Sequence, residues 1–112
     1  MNTGARTARP PIDIAPKDWA DVLRILHEHV PTIEVWAFGS RAKRTAKPYS
    51  DLDLALITQQ PLSLAQLAVI TDAFATSDLP IRVDVVDWAS TSEAFRKLIE
   101  PDAVVVQPAA AV

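Results

Sequence analysis

The chain has 112 residues, no cysteine and only two glycines. Without cysteine, disulfides and thiolate metal sites are excluded, which fits a reducing, cytoplasmic setting. No apolar run approaches the length of a membrane span. The N-terminal stretch MNTGARTARPP lacks the apolar core of a signal peptide. Charge of one sign is scarce too: the net charge is -3. That balance argues against a long nucleic acid held by phosphate neutralisation, and it leaves a nucleotide ligand open. The histidines are only two, His27 and His29, two apart on an expected helix, so they diverge instead of sharing a metal.

What is present is apolar content, 49% of the chain. This is enough for one small folded domain and too much for a disordered one. Residues 1–11 read as a loose tail, 12–107 as the domain and 108–112 as a second tail. Pro16 suits a helix's first turn. Trp19, Val22, Leu23, Leu26 and Val30 then form one stripe, which Pro31 ends. Strands are expected over 33–38, 52–58, 81–86 and 103–106. A second helix is expected over 63–75 with Leu64, Leu67, Ala68, Thr71, Phe74 and Ala75 on one side. A third runs to about Ile99, started by a capping box of Ser90 and Glu93. Arg41 to Ala46 reads as a short basic helix. Helices alternating with strands indicate an α/β or α+β domain around one sheet.

The stretch FGSRAKRTAKPYSDLDLAL (38–56) carries the chemistry. Alternate residues of a strand share a face, so Asp51 and Asp53 project together while Leu52, Leu54 and Leu56 point to the core. Two neighbouring carboxylates repel, and partial burial makes ionising them harder. A shared proton relieves this; so does a hard divalent cation. Asp84, in IRVDVVDW, is another acid in an apolar strand. If that strand lies beside the first, three carboxylates converge as phosphoryl-transfer sites require. Gly39 lets a phosphate approach the backbone, Ser40 adds a hydroxyl donor, and Arg41, Lys43, Arg44 and Lys47 add positive charge. A nucleoside triphosphate carrying Mg²⁺ needs both halves. The plainer alternative is a common Gly-Ser turn with strand-capping aspartates and a solvated basic loop. Trp19, Trp36 and Trp88 read as core or interface anchors, with base stacking open. Asp87 reads as the end of its strand, and Tyr49 as a loop residue that contacts substrate or packs.

GSRAKRTAKPYSDLD resembles the Gly-Ser, ten residues, Asp-x-Asp signature of the DNA polymerase β-like nucleotidyltransferases. The preceding helix, VWAFGSRAK, VDVVDWA and the short length resemble the minimal nucleotidyltransferases, commonly paired with a helical HEPN or HEPT-type partner. The resemblance implies a palm-like mixed sheet flanked by helices. It implies that Gly39, Ser40 and Arg41 bind nucleotide, and that Asp51, Asp53 and Asp84 are catalytic and bind metal, two Mg²⁺ ions with ATP or another NTP as substrate. It implies transfer of NMP, AMP from ATP, to a hydroxyl on a partner protein in a hetero-oligomer, as the antitoxin of a toxin–antitoxin pair. One departure is visible: many relatives carry glycine where this chain has Arg44 or Thr45. Two other readings stand beside this one. The chain could be a non-catalytic module covering a helical partner, or it could modify a small molecule such as an aminoglycoside.

Overall fold

The computed structural model describes residues 9–110. Helix α1 spans Pro16–His29, strand β1 Glu34–Phe38, helix α2 Ser40–Lys43 and strand β2 Leu52–Ile57. Helix α3 spans Leu64–Ala75, strand β3 Val83–Asp87, helix α4 Glu93–Ile99 and strand β4 Val104–Gln107. Short 3-10 turns, Trp88–Ser90 and Glu100–Asp102, flank α4. The strands form one sheet in the order β3-β2-β1-β4, with β2 antiparallel to β1 and parallel to β3. A parallel neighbour needs a long crossover, and α3 provides it. The mixed sheet flanked by helices is the architecture expected.

Side chains alternate across the sheet. Val35 and Ala37 of β1 and Leu52, Leu54 and Leu56 of β2 are fully buried, in one cluster with Val22, Ile25 and Leu26 of α1 and Ile70 and Phe74 of α3. The other face carries Trp36, Phe38, Asp53, Ala55, Asp84 and Val86, placed there by register and alternation. Trp88 meets Trp36 edge to face at 5.1 Å, and Phe95 of α4 meets Phe38 at 6.0 Å. Two layers of different character follow: an apolar core under α1 and α3, and a partly covered face bearing acids and aromatics.

Three local expectations differ from the structure. The buried stripe of α3 is Ile70 and Phe74, with Leu67 and Ala73 packed partly against it; Leu64 is 88% exposed, and Ala68 and Ala75 are exposed. The apolar residues of α3 surround the helix, so periodicity alone did not choose the side. On α1, Ile25 is buried while Leu23 is only half-buried. The N-cap of α4 is Ser92, whose side chain accepts from the Phe95 amide, not Ser90, which ends a 3-10 turn. A reciprocal capping box does occur, at Ser63 and Gln66 before α3. The tail expected over 1–11 falls mostly outside the described residues. Within them, Pro10 is buried and its carbonyl accepts from Arg44 at 2.7 Å. Of the C-terminal tail, 111–112 lie outside the described residues and 108–110 are exposed.

Candidate active site

The acids are assembled by strand register. Phe38 pairs with Asp53, and Asp53 pairs with Asp84, so one row across three strands reads Phe38, Asp53, Asp84. Asp51 precedes β2 by one residue and lies two before Asp53. The three acids expected to act together are therefore neighbours on the face that α1 and α3 leave open. Each is half-buried.

The electrostatics agree with that crowding. Asp53 has its pKa pushed above the usual carboxylate value, first by burial, then by the charges of Asp84 and Asp51. Arg82 works in the opposite direction. Its guanidinium donates to Asp84 Oδ1 at 2.9 Å, and its carbonyl accepts from the Leu52 amide. The sequence reading passed over Arg82. Its signal was available: it stands two residues before Asp84 in an extended run and so shares its face.

Gly39 ties the two halves of the motif together. Its backbone takes φ 76 and ψ -159, a region open essentially to glycine alone. A Cβ there would stand 2.5 Å from Asp53 Oδ2. Glycine is needed twice, for the backbone turn out of β1 and for the carboxylate packed against it. Ser40 opens α2 at once, and the first amides of a helix lack intrahelical partners.

The basic stretch is used differently from the sequence expectation. Arg41 is buried, and its guanidinium donates to the carbonyls of Asp13, Ser50, Pro48 and Lys47. Its fork is turned onto the backbone oxygens of the turn before Asp51 and of Asp13. Arg44 takes the left-handed conformation (φ 62), which glycine adopts without strain. Lys43 pairs with Asp102 at 3.7 Å, and Lys47 is exposed. Tyr49 is 92% exposed, beside the acids in sequence.

The remaining acids and histidines lie apart. Asp87 ends β3, nearly buried. Burial alone pulls its pKa up, but hydrogen bonds from Thr58, the Leu62 amide, Ser90 and the Ala89 amide hold it below the usual value. It fastens the β2–α3 connection and plays no part in the acid row. His27, His29, Asp72 and Asp78 are exposed.

Carboxylates offer hard oxygen donors of the kind Mg²⁺ takes. Asp53, loaded with repulsion from both neighbours, is a position that a dication would relieve. Among the described residues, no three acid or imidazole groups stand close enough to share one ion as the side chains are placed. Arg82 engages Asp84 in this arrangement. The donor set thus fits the ion in its carboxylate chemistry and in its placement on neighbouring strands.

Comparison with known proteins follows the same lines. The polymerase β nucleotidyltransferase family matches residues 21–107. The probable protein adenylyltransferase MntA of Haemophilus influenzae is 51% identical over 96 residues, covering 86% of this chain and 84% of that one. A crystal structure of a toxin–antitoxin with AMP-PNP superposes with a TM-score of 0.68 at 21% identity, over 80% of this chain and 73% of the other. An MNT antitoxin in complex with tri-AMPylated Shewanella oneidensis HEPN toxin gives 0.63 at 18%, over 82% and 71%. At those identities the two structures show a common fold. With the MntA relative and the family match spanning most of the domain, the chain belongs to the polymerase β-like nucleotidyltransferase family.

Proposed function

We propose that this protein transfers AMP from ATP to a hydroxyl group of a helical, HEPN-type partner protein with which it forms a hetero-oligomer. The observation that carries the reading is the row Asp53–Asp84 with the Gly39 backbone against the Asp53 carboxylate. Half-identity to a protein named an adenylyltransferase, over most of both chains, supports the choice of AMP and of a protein acceptor.

The roles divide by place. Gly39 admits the triphosphate close to the backbone, and the Ser40 hydroxyl donates to a phosphate oxygen. Asp51 and Asp53 would hold Mg²⁺, and Asp84 would complete the set of carboxylates. Bound there, two Mg²⁺ ions would lower the pKa of the acceptor hydroxyl and neutralise charge on the departing pyrophosphate. The acceptor oxygen attacks the α-phosphorus, the bond to the β-phosphate's bridging oxygen breaks, and the hydroxyl proton passes by way of Asp84 to solvent. Most of the acceleration comes from orientation and charge placement.

A relative 51% identical and named a protein adenylyltransferase favours a protein acceptor over an aminoglycoside-sized substrate. Three costly acids on one face favour an enzyme over a module that only covers its partner. The test is co-expression with a HEPN-type toxin protein of the kind found in the complexes it resembles, followed by intact-mass measurement. A gain of one or more AMP units on the partner, lost with Asp51→Asn and Asp53→Asn, is the expected result. An unmodified partner in a tight complex would defeat the enzymatic reading.

A further inference from the structure

A buried guanidinium ordinarily answers a carboxylate. Arg41 is 6% exposed, yet none of the ion pairs among the described residues includes it. Its fork is satisfied by a ring of backbone oxygens. Nε donates to the Ser50 carbonyl at 3.0 Å and Nη1 to that of Asp13 at 2.7 Å. Nη2 reaches those of Pro48 at 3.2 Å and Lys47 at 3.4 Å. Only arginine has planar donors arranged to span such a ring.

Both objects in its grip matter. The turn 47–50 is closed on itself: the Ser50 amide donates to the Lys47 carbonyl at 3.0 Å, and the Lys47 amide donates to Ser50 Oγ at 2.9 Å. Asp51 follows directly. The other object is the N-terminal segment, where the Asp13 amide donates to the Arg41 carbonyl at 2.8 Å, so Arg41 and Asp13 are bonded both ways. Ile12, next to it, is 1% exposed in the core.

We propose that Arg41 is a positioning residue for the nucleotide site: it locks the segment 12–13 and the turn 47–50 onto α2, and so presents Asp51 and Asp53 opposite Ser40. The proposal rests on the reading of those two acids as the ligand-binding pair. A turn released from Arg41 keeps its sequence and its acids but loses the register of its last residue before β2. The site depends in this way on a segment far from it in the chain, and on a charge that never touches substrate.

The experiment compares wild type, Arg41→Ala, Arg41→Lys and Val106→Ala. The last loosens the core at β4, away from the turn. Binding of Mg²⁺ with a non-hydrolysable ATP analogue is measured by calorimetry, thermal stability alongside it, and amide exchange over 47–50 by mass spectrometry. Arg41→Ala should weaken binding by about 10–100-fold, the range for groups that orient metal ligands from behind. Val106→Ala should bind as wild type does. Added guanidinium ion should restore binding to Arg41→Ala and leave Val106→Ala unchanged. Arg41→Lys, which keeps the charge without the fork, should also bind weakly, and it serves if the alanine variant does not fold. Wild-type affinity in both Arg41 variants, or an equal loss in Val106→Ala, overturns the proposal. If wild type itself takes up no nucleotide, the reading of the acids fails instead. The clamp then stands or falls on whether the amides of Lys47, Tyr49 and Ser50 exchange faster in the Arg41 variants.

Discussion

Asparagine at position 53 should make the protein more stable while ending its chemistry. Asp53 lies directly across from Asp84 in a parallel pair, and Asp51 adds a second like charge. Like charges facing one another on a sheet cost about 0.2–1 kcal/mol. For a domain of this size roughly 4 °C of melting temperature corresponds to 1 kcal/mol, so the gain is about 1–4 °C. The size of the gain depends on pH. Asp53's pKa is raised by folding, from a value of 3.8. Below 3.8 the carboxyl holds its proton in both states and carries no penalty. As pH climbs through the raised folded value, ionisation costs the native state stability. The advantage of Asp53→Asn should therefore be absent in acid, grow as pH rises above 3.8 and level off once pH has passed the raised folded value. Differential scanning fluorimetry from pH 4 to 8, without divalent ions, measures it. Saturating Mg²⁺ should then raise the melting temperature of wild type and not of the variant. A variant less stable than wild type at pH 7, or an advantage unchanged across that range, would refute the reasoning about the acid row.

Gly39→Ala should lose about 1–3 kcal/mol from its backbone conformation alone. Because the new Cβ falls on Asp53 Oδ2, Mg²⁺-nucleotide affinity should drop with it; unchanged melting and affinity would contradict the geometry. Asp87→Ala strands the donors of Thr58, Leu62 and Ser90 and should cost about 1–3 kcal/mol. Since folding lowers the Asp87 pKa, its contribution is present above 3.8 and fades as pH falls through the folded value; urea titrations at several pH values should show a shallower acid slope in the variant. Ile70→Ala should cost about 2–5 kcal/mol, whereas Leu64→Ala should stay within about 0.5 kcal/mol of wild type. Similar losses at the two positions would mean that α3 buries a different face.

Much of the acid site was legible before any coordinates. The spacing of Gly39-Ser40 and Asp51-x-Asp53, and the alternation of Leu52, Leu54 and Leu56, are local properties. A strand's two-residue period fixes which side chains share a face whatever the strand pairs with. Asp84 was legible as an acid in an apolar strand, but its neighbour was only a condition. Arg41 shows where local reading fails. It is a charge without periodic signal, and its role depends on which carbonyls the fold carries to it.

The division has one physical basis. Periodicity, turn residues and composition act over a few residues, so sequence determined the elements and the outward side of β2. Strand order and the parallel pairing of β2 with β3 come from surfaces that meet only when α1 and α3 close over one face of the sheet, and the burial of Arg41 comes from the turn 47–50 and the Asp13 segment meeting on it. Only the tertiary fold set Asp84 beside Asp53, turned Arg41 away from solvent and chose which side of α3 faces the core.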